Sequence, residues 1–175
     1  SMTNKSYRVF IDDAQYTGWR FIQTETQEDI TFKDMKPLEH KLFNNDIFMI
    51  CDSSINIKIS TTREQIIPGV LILDKIYGKH KGGKQQKYLY KCIPHDKHLP
   101  HFLVSYTVKA DFSKSNPPIY VCFKFSEWND KHPTGTIIKT IGPVTQLVNF
   151  YEYHICCKNF QQIQMVSLQE DQNLK

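Results

Sequence analysis

Residues 66–100, IIPGVLILDKIYGKHKGGKQQKYLYKCIPHDKHLP, decide how this chain is read. Two β-type runs, 70–77 (VLILDKIY) and 87–93 (KYLYKCI), flank a lysine-rich turn centred on Gly82-Gly83. Glycine accepts the positive φ that tight hairpins need, so the stretch predicts an antiparallel hairpin. The period of two puts Tyr88, Tyr90 and Cys92 on one face of the second strand and Lys87, Leu89 and Lys91 on the other. Seven lysines (Lys75, Lys79, Lys81, Lys84, Lys87, Lys91 and Lys97) face a single acid, Asp96, between residues 75 and 97. That local surplus of six exceeds the +4 of the whole chain.

Charge divides the molecule accordingly. Residues 1–68 carry a net −2 and residues 69–175 a net +6. A basic hairpin with interleaved tyrosines suits a single-stranded nucleic acid, because lysines hold phosphates while ring faces stack on bases of any identity. The plainer reading is a solvated edge hairpin whose lysines keep strands of different molecules apart.

The 175 residues accommodate two small modules, and the charge break near residue 68 favours that division. An aromatic content of 13% favours β structure. No run approaches the ~20 apolar residues that cross a bilayer, so a soluble protein without a membrane partner is expected. Five cysteines without C-x-x-C spacing, two of them the adjacent Cys156-Cys157, fit neither a disulfide framework nor a thiolate zinc site. An intracellular, reducing compartment, cytoplasmic or nuclear, is expected. Ser1-Met2 reads as an expression remnant, and the chain is expected to be a piece of a longer protein.

The first half offers five short strands, at 7–11, 18–22, 29–33, 46–51 and 55–60, with one helical turn at 35–42. That count predicts a small OB-type barrel. Gly18-Trp19-Arg20-Phe21-Ile22 resembles the glycine-aromatic-x-aromatic-aliphatic strand of cold-shock domains, which makes Trp19 and Phe21 candidates for base stacking. His95, His98 and His101 stand three residues apart, yet Pro100 and the β setting scatter them, so an ordinary polar turn is expected and no metal site. Strands at 102–109, 119–125 and 136–141 complete a second barrel. Val144, Leu147, Val148, Tyr151 and Ile155 then recur at helical spacing after Pro143 and predict a small amphipathic helix.

Asp96-Lys97-His98-Leu99-Pro100, Trp128, His132-Pro133-Thr134-Gly135, Ile138, Gly142 and Tyr151-Glu152-Tyr153-His154-Ile155 together resemble the second cold-shock domain of the ribonuclease II / ribonuclease R family of 3′-5′ exoribonucleases. Leu42-Phe43-Asn44-Asn45-Asp46-Ile47-Phe48 is similar to a segment of that family's first cold-shock domain, with Asn45 where glycine is usual. The resemblance implies an all-β chain of two tandem OB-fold, cold-shock-like barrels with a small C-terminal helix. The boundaries read 1–64, 65–156 and a polar tail 157–175.

It also implies single-stranded RNA as partner, fed to a catalytic domain outside this chain. That absent domain would hold Mg²⁺ and belong to a nuclease or an exosome-like complex. The candidate RNA-binding residues are Trp19, Phe21, Lys79, Lys81, Lys84, Lys87, Tyr88, Tyr90 and Lys91. Within this chain no catalytic residue and no cofactor is expected. Asp12-Asp13-Ala14 lacks the upstream aspartate of the family's metal motif and reads as a strand-end turn. The alternative function is a stand-alone OB module that docks a protein partner through apolar positions such as Phe48, Phe102 and Phe150.

Overall fold

The β-branched and aromatic runs form strands at nearly every predicted place. The computed structural model describes residues 4–80, 87–108 and 116–159. In the first half these strands are β1 (Ser6–Ile11), β2 (Trp19–Gln23), β3 (Asp29–Ile30), β4 (Ile47–Cys51) and β5 (Ser54–Ile59). They lie in the order β3-β2-β1-β4-β5, all antiparallel. Val9, Ile11, Phe21 and Phe48 fill the inside, with the Phe32 ring edge-on to Tyr7 and Phe21 at 4.9 and 5.1 Å. Asp52 and Ser53, at φ 48° and 66°, turn β4 into β5 as a two-residue hairpin with both centres left-handed. Asp12-Asp13-Ala14 is a turn after β1: Asp13 Oδ1 accepts from the Gln15 N–H at 2.9 Å, and the Thr17 hydroxyl donates to Oδ2.

The second half contains β6 (Ile67–Ile72), β7 (Gly78–Lys79), β8 (Tyr88–Pro94), β9 (Phe102–Tyr106), β10 (Ile119–Phe125) and β11 (Thr134–Pro143). The two strands of the expected hairpin pair, with Val70 opposite Ile93 and Leu71 opposite Cys92, while the Gly82-Gly83 turn lies outside the described residues. The first strand is broken, however. Residues 73–77 leave the ladder, with Ile76 and Tyr77 exposed, and β7 rejoins with Gly78 opposite Leu89. Following the pairings gives β6-β10-β11-β9-β8 and back to β6, a closed ring of five strands with β9 and β11 parallel. This is the OB barrel in strand order; the first sheet follows the same order with β3 and β5 as its outer strands. Gly135, the glycine of the Pro-x-Gly motif, lies where a Cβ would sit 2.6 Å from the Phe123 ring, so β10 and β11 could not pair as closely with a larger residue.

Between the two sheets lies α1 (Thr61–Glu64), a single turn that the sequence reading did not anticipate. Its Arg63 donates from Nη1 to Asp46 Oδ2 and from Nη2 to the Lys41 carbonyl, both at 2.7 Å. Asp46 is fully buried and also accepts from the Phe43 N–H at 2.8 Å and the Ser60 hydroxyl at 2.6 Å. Burial pushes its carboxyl up to about 6, against the pull of Arg63 and Ser60. Asn45, standing where the resembling family has glycine, adopts φ 70°, a conformation asparagine tolerates better than most residues.

Phe43 joins the two halves. It belongs to the first module's loop, yet its ring lies parallel to Phe102 of β9 at 5.6 Å and within 4.7 Å of Trp128. The Arg63 guanidinium lies over the same ring at 4.7 Å and reaches Phe125 at 5.2 Å. One continuous buried cluster therefore runs from Val9 of β1 to Phe123 of β10. His98 Nδ1 makes a second tie, to the Ile11 carbonyl at 2.8 Å.

A C-terminal helix, α2, occupies residues 147–159 and covers the outside of β10 and β11. It lies on a different face from the one predicted. Leu147, Val148, Tyr151 and Ile155 are 59–69% exposed, while Asn149, Tyr153 and Cys157 are buried. The Tyr153 ring stacks on Tyr120 of β10 at 4.3 Å, and Glu152 pairs with Lys139 of β11. Gly142, at φ 141°, ends the strand against the Asn149 side chain, whose Nδ2 donates to the Pro143 carbonyl at 3.0 Å. That junction fixes the helix's rotation. The helix also runs past residue 156, where the polar tail was predicted to begin; residues 160–175 lie outside the described residues.

Candidate nucleic-acid interface

In an OB barrel, the outer face of the second and third strands and the loops joining strands one to two and four to five are where oligonucleotides bind. Here those strands are β8 and β9; of the two loops, residues 73–80 and 87 of the first and 126–133 of the second are described. Lys79, Lys87 and Lys91 of the basic cluster read from sequence fall on this face and its first loop. Lys91 points outward, opposite Leu103 of β9 on one side and Ile72 of β6 on the other. Lys87 is exposed at the start of β8 and its carbonyl accepts from the His80 N–H at 2.9 Å. Lys79, also exposed, sits opposite Tyr88 in the β7–β8 ladder. Lys81 and Lys84 lie outside the described residues.

The aromatic candidates divide. Tyr88 is half-buried, opposite Tyr106, and packs against the core from the same strand face as Tyr90. Tyr90, two residues on, is 4% exposed and points into the barrel, and Phe21 is 3% exposed in the first module's core. Neither of these two rings can stack on a base in this conformation. The alternation read from sequence is correct, but the ring-bearing face is the inner one, because the opposite face carries Lys91, whose ammonium stays in water. Trp19 is 36% exposed. It pairs with Ile11, whose carbonyl holds His98, so it stands beside the β8–β9 connection of the second barrel. Phe48 and Phe102, offered as docking positions, are fully buried; Phe150 is 40% exposed.

Three residues the sequence reading did not assign complete the face. His101 precedes β9, and Lys131 and His132 end the 126–133 loop. The Leu103 N–H donates to the Pro133 carbonyl at 2.9 Å, which fastens that loop against β9. Lys41 of the first module reaches it as well, donating to the Asn129 carbonyl at 2.7 Å. Partial burial, with Lys91 close by, holds the His101 and His132 imidazoles below their ordinary value. The other two histidines of the evenly spaced trio go elsewhere: His98 to Ile11, and His95 to within 5.8 Å of the Tyr153 ring. Among the described residues no group of three His, Cys, Asp or Glu side chains could hold a metal ion, and no helix is long and apolar enough to cross a membrane.

The outer face and its two loops thus gather Lys79, Lys87, Lys91, His101, Lys131 and His132, cations to hold phosphates, with the exposed Trp19 ring at their border. A scan against protein-family models and a search of curated proteins both find no match for this chain.

Proposed function

We propose that this chain binds single-stranded RNA across the β8–β9 face, as the paired OB modules of a ribonuclease II-type exoribonuclease that passes RNA to a catalytic domain elsewhere. The observation that supports this reading most is the coincidence of two independent features. Lys79, Lys87 and Lys91, among the lysines singled out by charge alone, sit on the strand and loop that OB barrels use for polynucleotides. Lys79, Lys87 and Lys91 serve as phosphate contacts, and Trp19 as the stacking surface. Affinity is mainly electrostatic, with weak sequence preference. Mixing the protein with short oligouridylate at low salt and following co-elution by gel filtration tests this. A stable complex is expected, and absence of any co-elution contradicts the proposal.

A second reading, an OB module that docks a protein, draws on the exposed apolar stripe Leu147, Val148, Tyr151 and Ile155 of α2. Under that reading RNA leaves the elution volume unchanged.

A further inference from the structure

We propose that Lys91, His101 and His132 form one phosphodiester-binding cluster whose hold on RNA tightens as its two imidazoles take up protons. This rests on the RNA-binding reading above and adds to it a specific contact and its regulation. The strand register brings the three together. Lys91 lies opposite Leu103, and Leu103 lies beside Thr134 of the parallel strand β11. His101 and His132 each stand two residues upstream of that row on chains running the same way, so both flank the same end of the face. Each of the three is half-buried, hence fixed in place yet open to solvent.

The charges facing the rings are cationic. Lys91 of β8 and His132 act on His101, and Lys131 and Lys91 act on His132. The nearby loop carboxylates do not answer them. Glu127 accepts from Asn129 Nδ2 at 2.9 Å, and Asp130 is exposed. A row of neighbouring cations without an acid opposes itself, as like charges placed together on a sheet do. A bound phosphate supplies the missing counter-charge. Burial and Lys91 keep the imidazoles mostly neutral near pH 7 in the free protein, and an anion beside them favours the charged form. By linkage, whatever raises the rings' proton affinity on binding must itself bind more tightly as pH falls. Phosphodiesters and uracil do not change charge between about pH 5.5 and 7.5, so the protein alone sets the dependence.

The test is filter binding of short tritiated oligouridylate with hydroxyl termini, which carries no titrating phosphomonoester, at constant salt between those pH values, for the wild type and for H101Q/H132Q. One unit of imidazole pKa change is worth tenfold in affinity. Wild type is therefore expected to bind at least about fivefold tighter at the acid end, and the double variant to change by less than about twofold. NMR titration of the wild-type histidines, which needs no variant, should show both rings moving to higher pKa when oligouridylate is added. Equal pH dependence in the two proteins, or unmoved histidine titrations in the complex, overturns the cluster and leaves the RNA-binding reading standing. No binding at any pH overturns both.

Discussion

Replacing Phe43 by alanine asks whether the first five-stranded sheet and the barrel share one core. The side chain is fully buried, and its ring meets Phe102, Phe125 and Trp128 of the barrel half while its backbone belongs to the first half. Emptying a buried phenylalanine site costs about 3–5 kcal/mol, a large share of the roughly 5–15 kcal/mol that holds a domain folded. With a urea dependence of about 2 kcal/mol per molar, the midpoint should fall by about 2 M. Equilibrium urea unfolding followed by tryptophan fluorescence is the assay, because Trp128 lies 4.7 Å from the deleted ring. Wild type should unfold in one step, with fluorescence and circular dichroism coinciding. Tyr151→Ala, on the 59%-exposed side of α2, should cost less than about 0.5 kcal/mol. A loss below about 1 kcal/mol for F43A, or two separate transitions in wild type, would refute the shared core.

Further expectations follow from single sites. Asn45→Ala, at φ 70°, should cost about 1 kcal/mol while Asn45→Gly stays near neutral, both read by thermal unfolding. Because the folded state holds His101 and His132 below their ordinary value, protonation opposes folding; stability should drop as pH falls below about 6.5, and less so in H101Q/H132Q, by urea unfolding at several pH values. Trp19→Ala should weaken RNA binding by about 1–3 kcal/mol with little effect on stability. Phe21→Ala should destabilise the fold by about 3–5 kcal/mol instead.

Strand alternation carried most of the fold. Residues 119–125 form β10 as predicted, and the antiparallel pairing of β6 with β8 follows from two apolar runs of β-type residues. Alternation, however, defines two faces without saying which is inside, and that is why Tyr90 and Phe21 read as candidates when their rings are core. The same ambiguity affected α2. Residues 147, 148, 151 and 155 and residues 149, 153 and 157 both recur at helical spacing, and the choice was made by the Gly142–Asn149 junction and the Tyr120–Tyr153 stack. Helix α1, four residues long, is too short to show a period. The Asp46–Arg63 tie, the reach of Phe43 and the placing of His101 beside His132 depend on contacts between distant residues, for which no local pattern exists. The basic strand was legible because charge needs no register to be counted.

The salt dependence of oligouridylate affinity, compared between wild type and Lys79→Ala/Lys87→Ala/Lys91→Ala, tests the proposed interface most directly. Each phosphate contact contributes a slope of about −0.7 on single strands. The triple variant should therefore show a slope shallower by up to about 2, with weaker binding at low salt. An unchanged slope would place the polynucleotide elsewhere on the molecule and contradict the account.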